Sequence, residues 1–282
     1  MKRSMLILLL IIGFLHASAL AVGAEEKTAE FYRKRGIKYG KKEKYDQAIA
    51  DFNKALEISP KDAGAYYNRG VIFGRQGYLD RAISDYNKAL ELIPRLAEAY
   101  GNRGIAYDQK GQLDQAIADL TKALEINPGL AKAYYNRGNA YRKKGQLDRA
   151  ISDYNESLEL NPKDAWAYVN RGIAYDQKGQ LDQAISDFNK ALELNPRNTY
   201  AFVNRGNAYG SKGQYDQAIA DYNKALELDP QLAEAYKIRA AAYYLKKDYD
   251  KAWEDVHKAQ SLGYKVPLKL LERLRHASGR EK

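Results

Sequence analysis

The chain has 282 residues, a formal net charge of +10 at pH 7, only 3 histidines and no cysteine. The absence of cysteine excludes disulfides, zinc–thiolate sites and cysteine nucleophiles. The small number of histidines argues against a histidine metal centre and against a histidine-based catalytic triad. We therefore expect no metal, no cofactor and no enzymatic activity.

The amino terminus has the pattern of a secretory signal peptide. A basic start is followed by an apolar run from Met5 to Leu15 and then by small residues up to Ala24. This run is too short for a transmembrane helix, which needs about 20 apolar residues. Residues 1–24 are predicted to be removed after Ala21 or Ala24, with an uncleaved anchor as the alternative. The mature chain is then expected to be exported to the periplasm or the exterior, without a transmembrane segment.

A period of 34 residues organises the rest of the chain. The predicted repeats span residues 29–62, 63–96, 97–130, 131–164, 165–198, 199–232 and 233–266. Positions 8 and 20 of the repeat are glycine or alanine, position 27 is alanine except for Ser157, and positions 4 and 11 are aromatic. Their helical spacing predicts two closely packed helices per repeat.

The turns and ends of these helices also have sequence signals. Glycine at position 15 is expected to end the first helix, and the aspartate at position 18 is expected to cap the second. Pro267 then opens a leucine-containing segment, so residues 267–282 are predicted to form a capping helix and a basic tail.

These residues resemble the tetratricopeptide repeat, with small residues at positions 8, 20 and 27, aromatic residues at positions 4 and 11, and proline at position 32. The resemblance covers residues 29–266. It implies an all-α fold: a right-handed α-α superhelix, or solenoid, of seven helix-turn-helix repeats. It also implies a concave groove, lined by the first helices, that holds a peptide or a partner protein.

The chain departs from the family pattern at position 7, where every repeat has arginine instead of a bulky aliphatic residue. A half-buried arginine is costly without a carboxylate partner, because its charge cannot be titrated away. Position 23 is aspartate in every repeat. We therefore predict a structural ion-pair ladder, with binding of an anionic ligand as the alternative. Its interior members are Arg69, Arg103, Arg137, Arg171 and Arg205 with Asp85, Asp119, Asp153, Asp187 and Asp221.

The resemblance places positions 2, 5, 6 and 9 in the groove. Asparagine recurs at position 6, and an amide can both donate to and accept from an extended peptide backbone. Aromatic side chains at positions 2 and 5 are typical anchors of a peptide-binding surface. Solvated asparagines, and a Trp166 that only covers a neighbouring helix, are the alternatives. The predicted peptide-binding groove consists of Asn68, Asn102, Tyr135, Asn136, Asn139, Trp166, Val169, Asn170, Tyr200, Val203, Asn204 and Asn207.

The sequence thus predicts a non-enzymatic scaffold in the cell envelope that binds a protein or peptide. Nucleic acid is not expected for an exported chain, and the excess positive charge lies mostly at the two ends of the sequence, where it favours solubility. One alternative is a self-assembling structural array. The predicted capping helix argues against it, because that helix would cover the apolar face through which copies of the chain would stack. Another is a protein that binds envelope surfaces through its basic ends. Self-association stays open.

Overall fold

The computed structural model describes residues 28–279, so the predicted signal peptide and its cleavage site lie outside the described residues. Within this part the chain folds into fifteen α-helices and no strand. The all-α fold class is confirmed. The first helices of the repeats are α1 (Ala29–Lys41), α3 (Ala63–Arg75), α5 (Ala97–Gln109), α7 (Ala131–Lys143), α9 (Ala165–Gln177), α11 (Thr199–Ser211) and α13 (Ala233–Leu245).

The second helices are α2 (Tyr45–Ile58), α4 (Leu79–Leu92), α6 (Leu113–Ile126), α8 (Leu147–Leu160), α10 (Leu181–Leu194), α12 (Tyr215–Leu228) and α14 (Tyr249–Ser261). A last helix, α15, spans Leu268–Ser278. Six of the predicted repeats, all except 97–130, therefore each form one helical hairpin, as their pattern of small and aromatic residues predicts.

The helices form two compact units. The described residues up to Lys110 form the first, which contains α1 to α5, and those from Gly111 form the second, which contains α6 to α15. In both units a second helix packs against the first helix of its own repeat and against that of the next repeat, as α2 does with α1 and α3, and α8 with α7 and α9.

A short turn with a left-handed residue joins the two helices of a repeat. Five repeats place glycine there, and Gly145 has a φ of 73°. The first and last repeats instead have Glu43 and Lys247, with φ of 58° and 64°. A side chain makes this conformation costly, by roughly 1–2 kcal/mol, whereas glycine adopts it freely.

The glycine at position 8 lets the first helix approach a ring on the second helix. A Cβ atom added to Gly138 would lie 2.8 Å from Cε1 of Tyr154, and one added to Gly172 would lie 2.7 Å from Cε1 of Phe188. Real Cβ contacts are not so short, so alanine at position 8 would push the two helices apart. The same close packing of a ring on the helix backbone is found at Gly36, Gly70 and Gly206.

The prediction for position 18 was wrong. Asp114 and Asp148 lie within the first turn of α6 and α8, and neither helix has a side-chain cap. Each carboxylate instead pairs with a lysine that follows the first helix of the next repeat: Asp114 with Lys144, and Asp148 with Lys178. The negative charge of each aspartate still interacts favourably with the helix dipole at the amino terminus. Its ion pair, however, joins successive repeats. The same pairing joins Asp80 to Lys110, Asp182 to Lys212 and Asp216 to Lys246.

The carboxyl-terminal helix α15 covers the apolar face of α14. Leu271 and Leu274 of α15 are buried in one cluster with Trp253 and Val256 of α14. The indole Nε1 of Trp253 also donates to Ser278 Oγ at 3.1 Å. Between residues 28 and 279, every helix is too short or too polar to span a bilayer.

Candidate functional site

The position-7 arginine joins its own hairpin to the preceding repeat. In α7, Arg137 donates from Nε and Nη2 to the two carboxylate oxygens of Asp153 in α8, each at 2.8 Å. Its Nη1 donates to Oγ1 of Thr121 in α6 at 3.0 Å. Asp153 is only 4% exposed, and the hydrogen bonds it accepts raise the pKa of Arg137 above its ordinary value. The guanidinium is thus held by both neighbouring second helices.

This arrangement recurs along the chain. The arginine at position 7 and the aspartate at position 23 form a two-bond ion pair, and burial of the carboxylates makes such pairs strongly directional. With most of each guanidinium engaged by protein acceptors, these contacts favour a structural role over anion binding. The pairs are Arg35–Asp51, Arg69–Asp85, Arg137–Asp153, Arg171–Asp187, Arg205–Asp221 and Arg239–Asp255.

The sequence interpretation missed the third partner of these arginines. Position 25 is asparagine in five repeats, a signal that could have identified it. Arg69 Nη1 donates to Asn53 Oδ1 at 2.6 Å, and Arg103 Nη1 donates to Asn87 Oδ1 at 2.5 Å. Asp119, predicted as a member of the ladder, is buried in α6. Further bonds of this kind join Arg171 to Asn155, Arg205 to Asn189 and Arg239 to Asn223.

The asparagines at position 6 make two kinds of contact. Nδ2 of Asn68, Asn136 and Asn204 donates to the carbonyl four residues earlier in its own helix, each at 2.7 Å. Nδ2 of Asn102 donates to the Tyr67 hydroxyl at 3.0 Å, and Nδ2 of Asn170 donates to the Tyr135 hydroxyl at 2.7 Å. The bond within one helix is local, and the asparagine can exchange it for a bond to a ligand acceptor, because the helix carbonyl also accepts a backbone N–H. The second ties neighbouring repeats together.

The asparagines at position 9 have an internal role. The hydroxyl of Tyr154 donates to Asn139 Oδ1 at 2.8 Å, and that of Tyr222 donates to Asn207 Oδ1 at 2.9 Å. Both tyrosine side chains are buried, so the amides satisfy hydroxyls that would otherwise lie in the core. In repeat five, where the ring is Phe188 and has no hydroxyl, position 9 is isoleucine.

Val169 does not lie in an open groove, contrary to the prediction. It is 1% exposed and packs with Phe188 and Ala201 in an apolar cluster of the second unit. Its short aliphatic side chain is covered by the next repeat, so a ligand could not reach it. Val169 is therefore a core residue.

An exposed aromatic pair marks the first helices of repeats five and six. Trp166 is 50% exposed and Tyr200 is 64% exposed. Their rings meet edge to face, with centroids 6.1 Å apart. Rings of this size are costly to leave in water unless a partner covers them.

A cleft of about 320 Å³ opens next to this pair, between α11 and α13. Such a volume is at the lower end of ligand pockets, roughly 300–1,000 Å³. Tyr200, Val203, Asn204 and Asn207 line it, so four of the predicted groove residues come together here. The remaining lining residues are Thr199, Asp229, Leu232, Glu234, Ala235 and Ile238. In the described part of the second unit, this cleft combines apolar walls with amides and carboxylates.

Among residues 28–279, no group of three or more histidine, aspartate and glutamate side chains is placed to hold a metal ion.

Family models match most of the chain. The tetratricopeptide repeat model matches residues 63–96, 97–130, 165–198 and 199–232, with the same boundaries as the predicted repeats. Two further models, described as TPR repeat and tetratricopeptide repeat, match residues 36–77, 138–179 and 120–152. Together the matches cover residues 36–232 without a gap.

Solved structures give the same assignment. The chain is similar to YrrB, a TPR protein with an unusual peptide-binding site, at 31% identity and a TM-score of 0.57 over 65% of this chain and 95% of YrrB. It is similar to MamA at 32% identity and a TM-score of 0.55 over 61% and 93% of the two chains. A tetratricopeptide repeat protein from Parabacteroides merdae ATCC 43184 aligns at 25% identity and a TM-score of 0.65 over 89% and 98%.

No curated protein matches the sequence. Proteins built from this repeat are typically non-enzymatic scaffolds for protein–protein interaction. Because the family models match more than half of its length, the chain belongs to the tetratricopeptide repeat family.

Proposed function

We propose that this protein is a non-enzymatic scaffold of the cell envelope, and that it binds an extended peptide segment of a partner protein along the first helices of repeats four to seven. The observation that carries this proposal is the cleft between α11 and α13, which joins the exposed Trp166–Tyr200 pair to the amide of Asn204.

The geometry supports an extended peptide in particular. The amide of Asn204 lies in the cleft wall, and its Nδ2 donates to a carbonyl of its own helix at 2.7 Å. This amide can turn to a ligand without leaving a buried partner unsatisfied, so it can hold a peptide backbone at low cost. Tyr200 supplies a large apolar surface with two rotatable side-chain bonds, which loses little entropy on binding. The relative YrrB has a peptide-binding site, which favours the same use of the fold here.

The test begins with peptides selected from a random displayed library on the immobilised chain. The affinity of a selected peptide is then measured for the wild-type chain and for Tyr200→Ala, Asn204→Ala and Asn68→Ala. Asn68 is a matched control because it makes the same 2.7 Å bond to its own helix, but in the other unit. We expect Tyr200→Ala to weaken binding about tenfold or more, as an aromatic hot spot does. Asn204→Ala should weaken it less, and Asn68→Ala should leave it unchanged.

Selected peptides whose affinity is the same for Tyr200→Ala and for the wild-type chain would refute this location. Because Tyr200 is exposed, its replacement should not impair folding, and an unchanged circular dichroism spectrum verifies this.

The envelope location rests on the pattern of residues 1–24. It is tested by expressing the full chain in a bacterium and finding the compartment and the amino-terminal residue of the product. A mature protein that begins at Val22 or Glu25 in the periplasm or medium supports the proposal, whereas an uncut chain in the cytoplasm contradicts it.

A further inference from the structure

The cleft between α11 and α13 has a negative rim. Two carboxylates, Asp229 and Glu234, line it, and no lysine or arginine of the described residues does. Lys237 lies close by, with its Nζ 3.8 Å from the Glu234 carboxylate and over the Tyr264 ring. This long contact leaves the Glu234 side chain 64% exposed, so its charge faces solvent at the cleft.

The floor of the cleft is apolar, because Val203, Leu232, Ala235 and Ile238 line it. In repeat five the equivalent valine, Val169, is 1% exposed, and the next repeat places Tyr200 at position 2. In repeat six the valine is Val203, and the next repeat places Glu234 at position 2. Val203 is only half-buried, and it lines the cleft together with Ile238.

We infer that the occupant of this cleft is a peptide that carries an aliphatic side chain beside a lysine or arginine. The aliphatic group buries itself against Val203 and Ile238, and the cation lies between the Asp229 and Glu234 carboxylates. The ring of Tyr200 at the cleft edge offers its face to the same cation. This inference rests on the proposed function and adds the chemistry of the peptide.

Opposite charge at a partly desolvated rim both attracts the cation and rejects an acidic peptide. The aliphatic group supplies affinity through burial of apolar surface, which does not depend on salt. The two contributions can therefore be separated by changing the peptide and the ionic strength independently.

Four fluorescent peptides of equal length provide the test. Each has either leucine or serine at its centre, flanked by either lysine or glutamate, in an otherwise Gly-Ser background, and binding is followed by fluorescence anisotropy. The leucine–lysine peptide should bind about tenfold tighter than the other three at an ionic strength of about 0.05 M. Its preference over the leucine–glutamate peptide should shrink as salt is raised, whereas its preference over the serine–lysine peptide should not.

The protein variants are Glu234→Gln and the matched control Glu98→Gln. Glu98 also lies at position 2, in the first turn of α5 of the other unit, so the control removes the same charge from the same helix position. Glu234→Gln should weaken binding of the leucine–lysine peptide about threefold to tenfold, and it should strengthen binding of the leucine–glutamate peptide because it removes a repulsive charge. Glu98→Gln should change neither.

The outcomes separate this inference from the proposed function. If the lysine and glutamate peptides bind equally and both lose affinity in Tyr200→Ala, the cleft binds peptides but the charge preference is refuted. If Glu98→Gln weakens binding as much as Glu234→Gln, the attraction is diffuse and the inference fails. If none of the four peptides binds while library-selected peptides still depend on Tyr200, the inference also fails and the proposed function stands.

Discussion

Removal of one arginine should show how much the ion-pair ladder contributes to stability. Arg137 has a side chain that is 17% exposed and is held by Asp153 through two bonds of 2.8 Å. Arg137→Ala leaves the Asp153 carboxylate, itself 4% exposed, without its cation. It also removes the bond to Thr121 and the contact of the guanidinium with the Tyr134 ring, whose centroid is 5.7 Å away.

The expected loss is about 3 kcal/mol of unfolding free energy. Breaking a buried ion pair by removing one partner costs roughly 3–5 kcal/mol, and the residual exposure of Arg137 puts this case at the low end. The double variant Arg137→Ala with Asp153→Ala should lose less than the sum of the two single variants, by about 2 kcal/mol, because no charge is then stranded. The pair thus fixes the geometry more than it adds net stability.

The assay is denaturant unfolding followed by helical circular dichroism. Repeat arrays can unfold in parts, so the dependence on denaturant must be unchanged before free energies are compared. Lys190→Ala, which breaks the solvent-exposed pair with Glu193, is the control and should leave the midpoint unchanged. A loss for Arg137→Ala no larger than that of this control, or strict additivity in the double variant, would refute the reasoning.

The remaining predictions are measured as midpoints of denaturant unfolding. Gly138→Ala should destabilise by about 2 kcal/mol, because the new Cβ would lie 2.8 Å from the Tyr154 ring. Lys247→Gly should raise the free energy of unfolding by about 1 kcal/mol, because glycine adopts a φ of 64° without the steric cost that a side chain adds. Asn139→Ile should cost about 1–2 kcal/mol by leaving the Tyr154 hydroxyl without its acceptor, and adding Tyr154→Phe should restore most of it. Burial raises the pKa of Asp176, so Asp176→Asn should stabilise the fold at pH 7, and this gain should vanish as the pH falls below about 4.

Each of these changes has its own control. Gly101→Ala lies in a helix with open space around the added Cβ, and should be neutral or stabilising. The reverse of the turn substitution, Gly213→Lys at φ of 75°, should destabilise by an amount similar to the gain from Lys247→Gly. Failure of Tyr154→Phe to rescue Asn139→Ile would show that the amide has another structural role. A constant gain for Asp176→Asn at all pH values would contradict the titration argument, which requires the charged form to be the destabilising one.

The fold could be predicted from the sequence because its signals agree at several levels. The glycine at position 8 matches a ring on the second helix in five repeats, as Gly172 matches Phe188, and this pairing agrees with the helical spacing of the pattern. The position-7 arginine and position-23 aspartate stand at a fixed separation, which placed them on facing helices. Because the local pattern and the packing agree in this way, the fold of a repeat can be predicted from its sequence.

The parts that could not be predicted depend on contacts between repeats. Asp114 carries a helix-capping signal, yet it bonds to Lys144 of the next repeat, which no local rule specifies. Val169 and Val203 occupy the same position of consecutive repeats, but Val169 is buried whereas Val203 lines the cleft, a difference that the valine itself does not indicate. A cleft between two first helices has no signal within either helix alone.

The division of roles among positions determines where recognition of a partner can reside. Positions 7, 8, 23 and 25 form the arginine contacts and the close approach of the two helices, so they repeat almost without change and offer nearly the same chemistry in successive repeats. Asparagine recurs at position 6 in five repeats, and amides that bind a peptide backbone do not distinguish one peptide from another. Position 2 changes at every repeat, from Lys132 to Trp166, Tyr200 and Glu234 along the second unit. Since Trp166 and Tyr200 are exposed rings, and Glu234 is the exposed carboxylate that follows them, this position supplies a different contact at each step of an extended ligand. Selection of the partner must therefore come from position 2 and from the accessible Val203 at position 5, while the invariant ladder holds these side chains at a constant spacing.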